Sequence, residues 1–142
     1  GGWDTHEYEN DGNGGYIATL LGQLASGLAN FYLDLDSGHT EKLSVVVVSE
    51  FGRRLVQNES YGTDHGHGSV MFALGGSVNG GQVFGNWPGL DNEQLYDHAD
   101  LAVTTDYRQV LGELLSKRMN NSDIEAVFPG FSGNYNPLGV FK

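Results

Sequence analysis

The order of the predicted elements (helix, strand, loop, strand, helix) indicates an α/β fold. Two observations lead to this prediction. Apolar residues recur at helical spacing in two segments, and the run at 43–49 between them is almost continuously β-branched. A run without polar alternation is typical of a strand buried on both faces, as in a parallel sheet. With 142 residues, the chain is expected to form one domain, 1–142.

The first helix is predicted from Ile17 to Leu35, because apolar residues fall at i, i+3 and i+4 along this segment. Gly38 is expected to close it in the left-handed conformation. Strands are expected at 43–49 and 70–74, with a further strand at 82–85 after a glycine-rich turn.

A second helix is predicted to start after Asp106, whose side chain suits the N-cap position. Apolar residues continue at helical spacing to Met119, and Lys117 and Arg118 in the last turn favour the helix dipole. A short helix or turn is expected at 124–128, before an irregular tail.

Composition excludes several classes of function. The net charge is −11, so a nucleic-acid partner is not expected, and neither is an anionic membrane surface. The absence of cysteine excludes disulfides, a thiol nucleophile and Cys-ligated zinc within this chain. No apolar run reaches the length of a membrane span, and no signal peptide is visible. Because it opens on Gly1-Gly2-Trp3, the chain is interpreted as a fragment or processed piece.

A first polar cluster, Asp4 and His6, follows Trp3 at the start of the chain. Residues at i and i+2 point to the same side of an extended chain, so both side chains could reach one metal ion. The alternative is a solvated loop in which Asp4 forms an Asx-turn.

A second cluster, Glu50 and Arg53, follows the β-branched run. Ligands in open parallel sheets bind beyond the carboxyl ends of the strands, where Glu50 would lie. Its carboxylate could bind a cation, and Arg53 could bind a tetrahedral oxyanion. The alternative is a surface ion pair between them, worth about 0–1 kcal/mol.

The third cluster, Asp64, His65 and His67, is flanked by glycines that allow close approach of a ligand. Imidazole and carboxylate groups suit Zn²⁺ and related divalent ions. The alternative is a flexible polar loop. The sequence contains no Gly-x-Ser-x-Gly elbow, P-loop or dinucleotide fingerprint that would indicate another chemistry.

These clusters occur in the order of a known family, with further motifs after them. The sequence resembles the C-terminal part of the bacterial family called domain of unknown function 1501, which is sulfatase-like and belongs to the alkaline phosphatase superfamily. The segments that carry the resemblance are GWDTH at 2–6, VSEFGR at 48–53, GTDHGH at 62–67, VMFALGG at 70–76, WPGL at 87–90, TTDYR at 104–108 and VFPGF at 127–131.

The resemblance implies a doubly wound, mainly parallel α/β sheet, alkaline phosphatase-like, of which residues 1–142 would be the C-terminal portion. It implies a two-metal site at the strand ends. Asp4 and His6 match one ligand pair, and His65 or His67 the later histidine. At the second metal the carboxylate is kept as Glu50, but Phe51 replaces the expected histidine. No residue here matches the superfamily nucleophile, which lies upstream. An export signal upstream in the family implies a periplasmic or secreted location.

Three hypotheses follow. The first is a metal-dependent hydrolase of sulfate or phosphate esters on small molecules or glycans. A divalent ion, zinc with calcium or magnesium as alternatives, would be held by Asp4, His6, Glu50, Asp64, His65 and His67. Arg53 would be the catalytic residue that binds the non-bridging oxygens. The second is a non-catalytic module of the same fold that binds a glycan or protein. The third is half a sheet that self-associates through its exposed apolar edge.

Overall fold

The computed structural model of the protein describes residues 2–10 and 14–142. The helices in this part of the chain are α1 (Gly15–Leu33), α2 (Ser37–Thr40), α3 (Tyr107–Arg118) and α4 (Ile124–Val127). The strands are β1 (Val45–Val47), β2 (Gly52–Arg53), β3 (His65–Gly66) and β4 (Phe72–Leu74), and a short 3-10 turn covers Ser132–Asn134.

The chain divides into two compact units, each made of three separate stretches of sequence. The first unit comprises Gly1–Asp36, Ser49–Val70 and Pro88–Val103. The second unit comprises Ser37–Val48, Met71–Trp87 and Thr104–Lys142. Because the stretches alternate along the chain, contacts between residues far apart in sequence hold each unit together. The prediction of a single domain stays a prediction.

Helix α1, in the first unit, confirms the predicted amphipathic helix but ends earlier. Asp34 keeps a right-handed backbone conformation and donates its N–H to the carbonyl of Asn30 at 3.0 Å. The left-handed closure predicted at Gly38 is wrong, because that residue lies inside the short helix α2. Leu20 is the buried side chain of α1, whereas Leu21 is half-exposed.

Strands β2 and β3 form a short antiparallel ladder in the first unit, where the sequence indicated only irregular structure. Gly52 pairs with Gly66, and Arg53 pairs with His65. Two-residue strands leave almost no periodic pattern in a sequence, so hydrophobic alternation could not predict them. This ladder carries two residues of the candidate site.

The β-branched run forms strand β1 of the second unit, paired with β4 in the register Val46 opposite Ala73. The pairing is antiparallel and the three valines are half-buried, so the interpretation of the run as a doubly covered parallel strand is wrong for these residues. A doubly wound parallel sheet stays a prediction, because the described residues form only two small antiparallel ladders.

The strand predicted at 82–85 is also wrong, since the segment is irregular. Glycines with positive φ stand before and within it, at Gly81 and Gly85. Val83 is almost fully exposed, so no sheet face covers its side chain.

Helix α3 confirms the second predicted helix and its cap. The Asp106 carboxylate accepts a hydrogen bond from the Arg108 backbone N–H at 2.9 Å, which satisfies one free donor of the first turn. Val110 of this helix packs with Val140 and Phe141 in the buried core of the second unit.

A buried carboxylate holds the end of the chain against α3. Glu113 is fully buried, and its Oε2 accepts hydrogen bonds from the backbone N–H groups of residues 138, 139 and 140 at 3.0–3.2 Å. Its Oε1 accepts from the Phe141 N–H at 3.0 Å, and Lys117 Nζ lies 3.5 Å from the same oxygen. Four donors and a cation thus offset the cost of burying the charge.

None of the described helices has the length and apolar character required to cross a lipid bilayer.

Candidate metal centre

Asp4 and His6 lie on a stretch of the first unit that is fixed by backbone hydrogen bonds. Glu7 forms a bridge with Tyr61, and the N–H of Thr63 donates to the carbonyl of Thr5. Thr5 is buried, while its two neighbours Asp4 and His6 are exposed. The side chains at i and i+2 therefore share the outer side of the stretch, as the spacing predicted.

Two glycines let the site-bearing backbones approach each other. A side chain at Gly62 would collide with the backbone of His6, and one at Gly66 with the backbone of Arg53. The glycines of the third cluster therefore allow two chain segments to pack closely together. Their predicted role, which was to let a ligand approach the backbone, stays a prediction.

Ligand atoms of Asp4, His6 and His65 come together at one point, all within 4.8 Å of one another. Asp4 Oδ1 is 2.7 Å from His65 Nε2 and 3.0 Å from His6 Nε2. The two Nε2 atoms are 3.1 Å apart. His65 is separated from the other two residues by about sixty positions of sequence, so only the tertiary structure brings it to them.

The donor set fits zinc. Two imidazoles and one carboxylate are ligands that Zn²⁺ commonly uses, with bonds of about 2.0–2.2 Å. Tetrahedral geometry at these lengths requires ligand atoms about 3.3 Å apart. The observed separations are a few tenths of an ångström shorter, so a small outward rotation of the side chains would admit the ion. The side chains are 44–60% exposed, which leaves room for a fourth ligand.

Arg53 anchors the carboxylate of this group. Its Nη2 donates to Asp4 Oδ1 at 3.1 Å and to the carbonyl of Trp3 at 2.8 Å. Its Nη1 donates to the carbonyl of Thr63 at 2.5 Å. The guanidinium therefore joins both histidine-bearing stretches and holds Asp4 in place.

Asp64 and Asn58 contact the outer side of His6. His6 Nδ1 is 3.1 Å from Asp64 Oδ1. Asn58 Nδ2 donates to the same oxygen at 3.2 Å and to the carbonyl of His6 at 2.8 Å. The Oδ1 of Asn58 accepts from the N–H groups of Ser60 and Gly62. This asparagine therefore closes its own turn and fixes two site residues.

Aromatic stacking supports His65. The ring of Phe51 lies 3.8 Å from the His65 ring, at an interplanar angle of 22°. The Arg53 guanidinium carbon lies 5.2 Å from the Phe51 ring centre. The phenylalanine that stands where the resemblance implies a histidine is thus a packing partner of a candidate ligand.

Hydrogen bonds keep both carboxylates of the site charged. The bond from His65 is the main cause that holds the pKa of Asp4 below its ordinary value, with the charges of His6, His65 and Arg53 acting the same way against partial desolvation. The pKa of Asp64 is also lowered, first by the bond from His6 and then by the bond from Asn58. The ionised form is the one that binds cations and accepts hydrogen bonds.

The remaining predicted ligands lie outside the group of three. In residues 2–10 and 14–142, no other set of three Asp, Glu or His side chains comes together as this one does. Glu50 is exposed, and His67 stacks on Tyr96 at 3.9 Å. Asp64 is the neighbour of His6 described above. Their roles as ligands stay predictions.

Sequence reasoning missed two residues that contact the candidate ligands, Asn58 beside His6 and Phe51 beside His65. Asn58 begins a turn that returns at Gly62, and asparagine before such a turn is a recognisable signal for backbone hydrogen bonding. Phe51 was noted only for the histidine that it replaces. Nothing in one sequence shows that its ring would lie on His65.

The first unit thus carries an open cluster of two histidines and one carboxylate, Asp4, His6 and His65, whose residue types can hold a divalent ion. The chain belongs to the family described as "Protein of unknown function (DUF1501)", and the match to this family covers residues 1–127. No curated protein and no solved structure matches this chain.

Proposed function

We propose that the first unit binds one divalent ion, zinc in preference to calcium or magnesium, through Asp4, His6 and His65. The proposal rests on the convergence of these three ligand atoms. Two imidazole nitrogens favour zinc, because calcium and magnesium prefer oxygen ligands. Three protein ligands with an open position are typical of catalytic zinc sites, whereas structural sites have four.

We further propose that this centre belongs to a metal-dependent hydrolase of sulfate or phosphate esters on small molecules or glycans. The resemblance to the sulfatase-like part of the alkaline phosphatase superfamily supports this reaction class. A larger parallel sheet and a periplasmic or secreted location, which the resemblance also implies, are part of the same proposal. A bound ion would polarise the ester oxygen and stabilise developing negative charge. Asp4, His6 and His65 would hold it, and the nucleophile would come from a part of the protein upstream of this chain.

Arg53 favours a second candidate, a non-catalytic binding module. As the catalytic residue of the hydrolase, Arg53 would turn its guanidinium toward the ester oxygens. In the structure both of its Nη atoms donate to the protein, to Asp4 and to the carbonyls of Trp3 and Thr63. A group engaged in this way stabilises the site and would have to break contacts to bind substrate. Metal-assisted binding of a glycan or protein requires no such step.

Zinc titration of the 142-residue chain by calorimetry tests the metal proposal. We expect one zinc per chain, and a loss of affinity of more than about 100-fold in His6→Ala and in His65→Ala, since each removes a direct ligand. His98→Ala is the matched control, because this exposed histidine of the first unit contacts Asn92 instead. Absence of zinc binding, or unchanged binding in His65→Ala, contradicts the proposal.

Ester turnover separates the two candidate functions. The assay uses p-nitrophenyl phosphate and p-nitrophenyl sulfate with zinc and the full-length protein. Turnover that is lost in His65→Ala and kept in His98→Ala supports the hydrolase. Zinc binding without turnover of either ester supports the binding module.

A further inference from the structure

We propose that the second unit holds a binding site for a sugar, in a polar cleft beside the start of helix α3. The cleft has a volume of about 330 Å³, at the lower end of the range for small-molecule sites. It lies wholly within the second unit, so the inference does not rest on the proposed metal centre. Six polar residues from three separate segments line it: Asn86, Thr104, Thr105, Asp106, Gln109 and Asn136.

Hydrogen bonds within the protein fix the walls of the cleft. Gln109 on α3 donates through Nε2 to the carbonyl of Asn134 at 2.8 Å, and its Oε1 accepts from the backbone N–H of Asn136. The hydroxyl of Thr104, just before α3, donates to the carbonyl of Asn86 at 2.7 Å. Both loop segments are therefore tied to the beginning of the helix, and a ligand would find the cleft already formed.

Three polar side chains on these walls are available to a ligand. Among the residues that the structure describes, none hydrogen-bonds the side-chain amides of Asn86 and Asn136 or the hydroxyl of Thr105. Gly85 leaves space beside this hydroxyl, because a Cβ there would come within 2.9 Å of Thr105 Oγ1. The cleft therefore offers two amides and a hydroxyl, each of which can both donate and accept hydrogen bonds.

The charges around the cleft favour a neutral ligand. Asp106 is the one charged residue among the described lining residues, and both of its carboxylate oxygens accept from the Arg108 guanidinium at 2.6–3.1 Å. A cation would have to compete with this guanidinium. An anion would meet no cationic side chain among the described lining residues, on a chain whose net charge is −11.

A sugar is the neutral ligand that matches the free groups. Each sugar hydroxyl donates one hydrogen bond and accepts others, so it can pair with an amide or a hydroxyl of the lining in either sense. An apolar ligand would bury little surface, because Leu138 is the one large apolar side chain among the described lining residues. The geometry therefore fits one sugar ring with several hydroxyl groups.

Titration of the metal-free 142-residue chain with sugars, followed by two-dimensional nitrogen-15 NMR, tests the proposal. The probes are glucose, galactose, mannose and N-acetylglucosamine, each added up to about 100 mM, because a small cleft with few hydrogen bonds is expected to bind in the millimolar range. We expect at least one sugar to shift the backbone amides of Asn86, Thr105 and Asn136 saturably.

Variants then assign the contacts. Asn86→Ala and Asn136→Ala should each weaken sugar binding by about 3–10-fold, and so should Thr105→Val, which removes the hydroxyl but keeps the side-chain shape. Gln23→Ala is the matched control, because it removes an exposed amide on α1 in the first unit, and it should bind sugar like the wild type. Amide spectra that match the wild type away from the cleft show that each variant is folded.

Two further probes separate a sugar from other ligands. Inorganic phosphate tests for an anion site, and cyclohexanol, a ring with one hydroxyl, tests for apolar binding. The proposal is overturned if no sugar shifts the cleft amides, if phosphate or cyclohexanol shifts them as strongly as the sugars do, or if all three cleft variants bind sugar like the wild type.

Discussion

Leu20 is the buried hydrophobic residue described in the first unit, whereas the second unit buries five: Val110, Ile124, Phe131, Val140 and Phe141. The first unit relies on polar contacts such as those of Arg53 and Asn58, and on close backbone contacts at glycines. Among the described residues, the unit with the larger apolar core carries no candidate group of metal ligands. The unit that carries the candidate metal ligands depends on hydrogen bonds between side chains and backbone.

Two carboxylates make this contrast concrete. Glu113 in the second unit is fully buried and accepts four backbone N–H groups, so its partners are part of the fold. Asp4 in the first unit is 60% exposed and accepts from side chains of His6, His65 and Arg53. An imidazole nitrogen can offer a lone pair to a cation, which a backbone amide nitrogen cannot do. Exposure and partner type therefore separate a structural carboxylate from one suited to a metal site.

The largest effect is expected at Glu113. Replacement by alanine leaves four backbone donors without their acceptor and Lys117 without its ion-pair partner, so we expect a loss of about 3–5 kcal/mol in unfolding free energy. Urea denaturation measures the loss, and amide exchange at 138–141 should accelerate. Glu41→Ala, at an exposed glutamate of the same unit, is the control. A difference below about 1 kcal/mol between the two variants would show that the hydrogen bonds to Glu113 contribute little to stability.

Neighbouring leucines of α1 test whether the first unit has an apolar core at all. Leu20→Ala removes a buried side chain and should cost about 2–3 kcal/mol, whereas Leu21→Ala removes a half-exposed one and should cost less than about 1 kcal/mol. Urea denaturation compares the two variants. If both variants lose less than about 1 kcal/mol, α1 packs no apolar face against the rest of the first unit. The first unit would then lack an apolar core at this helix, in contrast to the second unit.

Close backbone contact at the site is tested at Gly62. Alanine there would meet the backbone of His6, so we expect a loss of about 1–3 kcal/mol and weaker zinc binding. Gly27 in α1 is the matched control, because a Cβ at that position would have no neighbouring atom within 4 Å. Alanine at Gly27 should stabilise the helix by up to about 1 kcal/mol. If Gly62→Ala binds zinc as tightly as the wild type, close contact is not needed for the site.

The smallest effect is expected at Asp106, the N-cap of α3. Asp106→Ala should cost about 1 kcal/mol at neutral pH. The hydrogen bond from Arg108 lowers the pKa of Asp106 in the folded protein, against partial burial, below the unfolded value of about 3.9. The contribution of the cap is therefore complete above that value and is lost as the pH falls through the folded pKa.

Denaturation at several pH values checks this sign. The difference in stability between wild type and Asp106→Ala should be constant from about pH 7 to about pH 5 and should shrink below about pH 4. A difference that grows on acidification would contradict the role of the ionised cap.

Much of the second unit could be predicted from the sequence. Helix α3 and its Asp106 cap follow from local rules, since a side chain two residues before an N–H can satisfy it without tertiary structure. The hydrogen bonds from residues 138–141 to Glu113 could not be predicted, because a glutamate within a helix is usually exposed. Here the segment 138–141 packs over it and buries it. Strand partners likewise depend on distant segments, which is why β1 proved antiparallel.

In the first unit the sequence singled out the residues of the candidate site but could not show which of them come together. Asp4 and His6 were expected on one side of the chain because of their i, i+2 spacing, and the structure confirms this arrangement. His65 could not be chosen over His67 from spacing, since both lie in the same glycine-rich segment. Pairing of β2 with β3 places His65 opposite Arg53, and that pairing is a long-range contact.

By itself, then, the amino-acid order determined helices α1 and α3, the cap at Asp106 and the presence of imidazoles and carboxylates suited to a dication, because these depend on residues a few positions apart. Tertiary structure alone decided that His65 joins Asp4 and His6, that Asp64 and Asn58 contact His6, and that Glu113 holds the segment 138–141. These contacts join residues separated by roughly 25 to 60 positions, and closing such loops depends on the packing of the whole unit rather than on any local preference.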